Sequence, residues 1–309
     1  MKYRDWLEIW LKNYAEPTVK RRTYERYLQL ARKHIAERIG EKELWEITPL
    51  ELQQFITELL RNGNLITGRG LSANTVNGIV TVLKGSLKAA YILSEIPEPV
   101  ADRIKRPKPR EKAVTCFSRN EQKKIEQAVL SGKKEKMIGV VLCLYTGLRI
   151  GELLALKWSD IDFRKSVIFV NKTCYDSRTS DGCFCRIIDD PKTLSSYRTV
   201  PVPTSILRLL ETYRKPKQTG CVITAEGEPL SVRSYQRSFE LLLKRLHIRH
   251  RGFHSLRHTF ATRALECGMD IKTLAEILGH KNPTITLTRY THSMTAHKRQ
   301  MMNRLGELL

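Results

Sequence analysis

MIGVVLCLYTGLRIGELLALKW, residues 137–158, is the stretch that decides the fold. Its first nine residues are apolar on every side, a pattern that a buried strand and a buried helix share. Gly147 supplies a helix stop, and LRIGELLALKW restarts a helical period directly after it, which selects the helix. Such a helix needs neighbours all round, so the sequence on either side should wrap it. Upstream, FSRNEQKKIEQAVLS (117–131) opens with Ser118 as N-cap and Glu121 at the capping-box position. Downstream the period changes to two in SVIFVNKT (166–173), CFCRIID (183–189) and RTVPVP (198–203). The connecting stretches YDSRTSDG, with Asp181-Gly182, and DPKTLSSY carry turn chemistry, so these runs predict a three-stranded antiparallel sheet on one flank. Helical patterns resume at 204–213, 232–246, 254–268 and 271–280, with a tail helix near 294–308.

Further upstream the chain is helical. Tyr3, Trp6, Leu7, Trp10, Leu11 and Tyr14 recur at helical spacing, as do Tyr24, Tyr27, Leu28, Ala31 and Ile35 after Pro17-Thr18. TPLELQQFITELL (48–60) has Thr48 as cap, Pro49 at the first helical position and Glu51 three residues after the cap. The next helix, 71–93, opens with Ser72 and aligns Val76, Ile79, Val80, Leu83 and Leu87 on one face. Four such helices make a bundle. Between it and the second domain lies IPEPVADRIKRPKPREKA (96–113), with four prolines and dense positive charge, which predicts an extended linker. The expected organisation is therefore a helical domain over 1–95, a linker over 96–113 and a mixed domain over 114–309, mainly α with a small antiparallel sheet.

Across its 309 residues the chain has 54 Lys and Arg against 32 Asp and Glu, a formal charge of +22, with 41% hydrophobic residues. That apolar content supports packed cores and argues against intrinsic disorder. The surplus divides as +5 over 1–107 and +17 over 108–309. No apolar run is long enough to span a bilayer, and MKYRDWLEIW carries charge where a signal peptide needs none, so a cytoplasmic protein without membrane contact is expected. Seven cysteines at irregular spacing do not form a disulfide framework, and Cys174, Cys183 and Cys185 read as strand residues before a zinc site. A polyanion is the expected partner, nucleic acid before lipid. Lys20, Arg21 and Arg22, the helix head at Asn74 and Thr75, and Lys105, Arg106 and Lys108 in the linker are the candidate DNA contacts. For each charge run, a solvated face is the plainer alternative.

Chemistry concentrates in four places. Arg149 sits at the turn between two helices, where a guanidinium can fork two oxygens of one phosphate, with Glu152 three residues on to orient it or to form a surface pair. Lys192 lies in a turn between strands. HSLRH (254–258) puts His254, Arg257 and His258 on one helix face. A zinc reading lacks the glutamate after the first histidine, so a phosphate reading with His254 and Arg257 is preferred, and His258 reads as a core group. Finally, His280 ends a helix after Gly279, and Tyr290 follows ten residues later; cationic neighbours would favour its phenolate as a nucleophile toward phosphorus.

The ordered set TGLRIGELLALKW, PKTLSSYRTVPV, FHSLRHTFAT, LGH and RYTH resembles the tyrosine recombinase, or phage integrase, family, and ITPLELQQFI with LSANTVNGIVTVLK resembles its core-binding domain. The resemblance implies two domains that form a C-shaped clamp around DNA, with Tyr290 as nucleophile and Arg149 and Arg257 on the scissile phosphate. It implies His254 and His280 as hydrogen-bonding or proton-moving groups, Lys192 as general acid and Glu152 as support. A 3′-phosphotyrosine retains the bond energy, so no metal, ATP or other cofactor is implied. Implied partners are double-stranded DNA attachment sites, a homotetramer in synapsis, and an excisionase or DNA-bending protein. The implied role is integration and excision of a phage or conjugative element in bacterial nucleoid DNA. The alternatives are a chromosome or plasmid dimer resolvase, a type IB topoisomerase and a non-catalytic DNA-binding protein. Larger integrases of this kind often place an arm-binding domain ahead of the helical one, whereas here helix begins at residue 3, which fits a simple system or a truncation. In the family the tail, with Met301, Met302, Leu305, Leu308 and Leu309 on one side, commonly docks on a neighbouring protomer; packing on its own domain is the alternative.

Overall fold

The computed structural model describes residues 1–109, 115–132, 134–178, 184–190, 197–214, 220–290, 302–303 and 306–307, with backbone alone at 178, 184, 285 and 288–290. Lys192, Cys183 and most of the tail expected near 294–308 lie outside them. The chain divides into two compact units, Met1–Lys112 and Ala113–Leu309.

In the first unit, helix α1 (Tyr3–Trp10) runs on as a wider π turn over Leu11–Ala15, and α2 (Arg21–Leu30) does the same over Ala31–Ala36 before the short α3 (Glu37–Ile39). A 3₁₀ turn (Leu44–Glu46) leads to α4 (Pro49–Asn62) and α5 (Ala73–Ile92). The capping signals explain where these last two begin. Thr48 and Glu51 exchange side-chain and backbone hydrogen bonds at the head of α4, and the Ser72 hydroxyl accepts from the Thr75 amide at the head of α5. The aromatic face of α1 packs on α5, where the Trp6 indole donates to the Ser86 carbonyl at 2.9 Å and Tyr3 Oη lies 2.8 Å from Ser86 Oγ. Gly85 makes that approach possible, since a Cβ there would stand 2.7 Å from the Trp10 ring.

The proline-rich stretch is not the free extended linker that its composition predicts. Ile96, Val100, Ala101 and Ile104 are buried in the first unit's core, around a 3₁₀ turn at Val100–Arg103. Gln53 of α4 accepts from the Lys105 amide at 3.0 Å, and Asn77 of α5 donates to the Pro107 carbonyl at 2.9 Å. Four apolar side chains therefore outweigh the prolines, which break helix but do not prevent packing.

The second unit is built around the buried helix α7 (Ile138–Thr146), preceded by α6 (Arg119–Leu130) and a 3₁₀ turn (Glu135–Met137). Gly147 stops α7 in the left-handed region at φ +65°, and a Cβ there would meet Phe260 at 2.5 Å. Helix α8 (Ile150–Ala155) follows, then a 3₁₀ turn (Trp158–Asp160).

The sheet pairing differs from the expected one. Strands β1 (Ile161–Asp162), β2 (Val167–Val170) and β5 (Arg198–Pro201) form a three-stranded antiparallel sheet in the order β1-β2-β5. The intervening β3 (Thr173–Arg178) and β4 (Phe184–Asp189) pair with each other, in a separate two-stranded sheet. The run 166–173 breaks at 171–172, and the expected turn YDSRTSDG begins as strand. Burial explains the choice of partner for β2: Ile168 and Val170 face the core with Val200, whereas β3 lies against α8, its backbone close enough to Gly151 that a Cβ there would meet the Cys174 carbonyl at 2.6 Å. Helix α9 (Thr204–Tyr213), the small ladder of β6 (Thr224–Ala225) with β7 (Glu228–Pro229), and α10 (Val232–Arg245) follow. The Asp176 carboxylate accepts from the Val232 and Arg233 amides, which ties the hairpin to the head of α10. The unit continues with α11 (His254–Glu266), α12 (Ile271–Leu278) and α13 (Pro283–Tyr290).

Candidate active site

The site grows from one helix end. Helix α12 stops at Gly279, in the left-handed region at φ 64°, so its last carbonyls have no partner within the helix and carry the negative end of its dipole. Three guanidinium groups from three elements meet them. Arg198, the first residue of β5, donates Nε to the Ile277 carbonyl at 2.6 Å; Arg257, on α11, donates Nη2 to Leu278 at 2.5 Å; Arg149, the N-cap of α8, donates Nη2 to Gly279 at 3.3 Å. Arg257 also donates Nη1 to the Gly147 carbonyl at 2.7 Å, so it joins the ends of α7 and α12 while only 2% exposed.

Glu152 balances this charge. Its carboxylate accepts from the Arg149 amide at 2.9 Å and from Arg149 Nη1 at 2.7 Å, and it takes a two-pronged contact from Arg198 at 3.0 and 2.8 Å. Burial alone would raise the Glu152 pKa, but the Arg198 hydrogen bonds and charge, with the Arg149 charge, outweigh it and lower it to about 2. The same balance fixes Arg149: its side chain is 36% exposed, anchored on the protein side by Glu152 and open on the other.

His280 sits in the turn after α12, with Nε2 3.1 Å from Arg257 Nη2 and Nδ1 2.7 Å from Thr286 Oγ1. A guanidinium can only donate in its contact to Nε2, and the Thr286 hydroxyl can donate to or accept from Nδ1. Thr286 is fully buried and tethers α13, and the backbone of Tyr290 follows it by one helical turn on the same side. His254 is exposed at the first turn of α11, its ring edge-on to His258 with centroids 4.7 Å apart. His258, expected as a core group, is half-buried beside it.

The structure thus gathers Arg149, Glu152, Arg257 and His280 in one contact network, sets His254 one turn ahead of Arg257, and ends α13 at Tyr290. Arg198 is the member that sequence reading missed. Its signal was present, an arginine opening the alternating run RTVPVP, yet nothing local says that it turns inward. Among the described residues no group of three or more His, Cys, Asp and Glu could hold a metal ion; Cys174 is buried and Cys185 half-buried.

The candidate DNA contacts of the first unit lie at its surface. Lys20 caps α2, and Arg21 and Arg22 form its first turn, where positive charge opposes the helix dipole. Asn74 is exposed at the head of α5, whereas Thr75 is half-buried, with Oγ1 2.9 Å from Ser72 Oγ. Lys105, Arg106 and Lys108 are exposed, and Arg106 is held by the Asn77 carbonyl and the Thr81 hydroxyl.

Residues 115–297 match the phage integrase family, and residues 2–60 match the N-terminal SAM-like domain of phage integrases. The tyrosine recombinase XerC-like protein of Caldanaerobacter subterraneus subsp. tengcongensis is 30% identical over 98% of this chain and 82% of its own length. The ICEBs1 integrase of Bacillus subtilis is 25% identical, over 93% of this chain and 78% of its own. In fold, the chain is similar to the Tn1549 transposon integrase solved in complex with a circular intermediate DNA, with a TM-score of 0.79 at 23% identity over 98% of this chain and 99% of that one. With its family match covering the whole described site, the chain belongs to the phage integrase family of tyrosine recombinases, enzymes that exchange DNA strands.

Proposed function

We propose that this protein is the integrase of a phage or conjugative element, cutting and rejoining duplex DNA at attachment sites through a 3′-phosphotyrosine at Tyr290. The observation that carries this reading is the convergence of Arg149, Arg257 and His280 on the end of α12, with α13 tied to the same point through Thr286. In this mechanism Tyr290 Oη attacks the scissile phosphorus, the bond from phosphorus to the 5′-oxygen breaks, and Lys192 gives that oxygen its proton. Arg149 has five N–H groups, more than its contacts to Glu152 and Gly279 occupy, so it can also fork the non-bridging oxygens as charge develops on them. Arg257 places its charge beside them from the protein side. His254 and His280 hydrogen-bond the phosphate or relay protons, and Glu152 holds Arg149. The freed 5′-hydroxyl then attacks the phosphotyrosine of a partner duplex and releases Tyr290. One phosphodiester is exchanged for another, so the cycle needs neither ATP nor a metal.

Lys20, Arg21, Arg22, Asn74, Thr75, Lys105, Arg106 and Lys108 are assigned to the DNA backbone, where they deliver affinity before chemistry. Synapsis brings four copies together, with an excisionase or DNA-bending protein setting direction, in the cytoplasm where nucleoid DNA is accessible. Among the described residues no helix is long and apolar enough to cross a membrane. Resolution of chromosome dimers is the second reading, favoured by the XerC-like relative. The two separate on the element's own junctions: two duplexes carrying them should exchange strands in EDTA without ATP, and exchange at a chromosomal dimer-resolution site but not at those junctions would contradict the proposal.

A further inference from the structure

We propose that Arg198 is a positioning residue for strand transfer: by gripping the Glu152 carboxylate and the Ile277 carbonyl together, it fixes Arg149 and the turn bearing His280 in one arrangement. The inference rests on the integrase reading above. Arg198 is itself removed from any DNA, since its side chain is 6% exposed. Three of its contacts reach two partners that each carry a group of the site. Nη1 and Nη2 reach both oxygens of Glu152, whose other bonds hold the Arg149 amide and guanidinium. Nε reaches Ile277, three residues before His280. Arg198 also pairs with Val170 in the sheet, so the grip is anchored on a strand and not on a loop.

A buried ion pair is weak evidence of stability, because apolar residues of the same volume often serve the fold as well. What a planar two-pronged contact supplies is direction: it leaves Glu152 one orientation, and Glu152 leaves Arg149 one. The charged and titratable groups facing Glu152 are Arg149 at the head of its own helix, Arg198 from β5 and the Cys143 thiol from α7. Without Arg198, the effect of burial on the carboxyl would be opposed mainly by Arg149, and Glu152 would titrate much nearer the ordinary carboxylate range.

The test compares the full chain with Arg198→Gln and Arg198→Lys on a nicked duplex. Arg198→Gln should bind DNA with unchanged affinity and salt dependence, yet cleave about 100-fold more slowly, as an ångström-scale misplacement does. Its cleavage should also fall more steeply with acid than the natural chain's, because Glu152 would there protonate nearer the ordinary carboxylate range. Arg198→Lys restores the charge without the fork, so it should recover the natural pH profile but not the rate. Nitrogen NMR of the Arg149 guanidinium should show its slowed N–H exchange lost in Arg198→Gln. If that variant does not fold, Glu152→Gln breaks the same contact. Cleavage within threefold of the natural rate, or a slower rate with an unchanged pH profile, would overturn the proposal. Should the natural chain form no covalent adduct, the integrase reading fails separately, and unchanged Arg149 signals in Arg198→Gln would then overturn the positioning role by themselves.

Discussion

The two units bury different things. In the first, Tyr3, Trp6, Leu7, Leu83, Leu87 and their neighbours make an apolar core, in which the buried Ser86 serves two aromatic partners. In the second, Glu152, Asp160, Arg257, Thr259 and Thr286 are buried beside an equally apolar cluster. Burying charge is costly unless it is paired and hydrogen-bonded. The second unit meets that condition with Arg257 on helix-end carbonyls, Arg149 and Arg198 on Glu152, and Lys172 on Asp160, while the first keeps its basic residues out of the core. On the proposed function, the contrast separates two tasks for positive charge: a few buried groups held in fixed geometry for chemistry, and many exposed ones for attraction.

That separation is open to test. The largest effect should come from Tyr290→Phe, which removes the proposed nucleophile: covalent attachment to a nicked duplex should fall to background with site binding preserved. Next, Arg257→Lys cannot span the Gly147 and Leu278 carbonyls, so single-turnover cleavage should drop by about 10²–10³, a loss typical of removing one preorganised donor from a reacting centre. A core change in the first unit should do the opposite. Leu83→Ala should cost about 2–5 kcal/mol of stability in denaturant titration, while cleavage at saturating DNA stays normal.

Acid should also divide the units. The Glu152 pKa is lowered from 4.5 to about 2, so its stabilising contribution is complete above pH 4.5 and is lost as the pH falls toward 2. Glu152→Gln should therefore flatten the pH dependence of second-unit unfolding across that window, followed through near-ultraviolet dichroism of Trp158, and leave the first unit's unchanged. The smallest effect belongs to the surface: Arg22→Ala should lower the slope of log affinity against log salt by about 1 without changing the cleavage rate at saturation. A surface variant that slowed chemistry, or a buried one that altered only the salt slope, would break the contrast.

How far each unit could be read in advance follows from the range of the forces involved. The helix starts at Thr48, Ser72 and Ser118 are local, each set by a side chain and an amide three residues on, and all three are where the sequence places them. The buried helix before Gly147 was equally legible, since its period and its stop lie within ten residues. The partner of β2 was not, because the hairpin of β3 and β4 intervenes and only the shared core face identifies β5. Burial of Ile96, Val100, Ala101 and Ile104 was hidden for a related reason: four prolines in 96–113 report on backbone geometry and say nothing about what the apolar residues between them touch. The site divides the same way. Arg149, Arg257 and His280 stand out by type and order, whereas Arg198 acquires its meaning from Glu152, 46 residues away.

The central claim is that the site delivers one tyrosine to one phosphate. Trapping the protein on a nicked duplex of its own junction in EDTA, digesting it, and mapping the DNA-linked peptide by mass spectrometry tests this most directly. The account predicts a single 3′-phosphate ester on the peptide containing Tyr290. An adduct on another residue, or none at all, would contradict it.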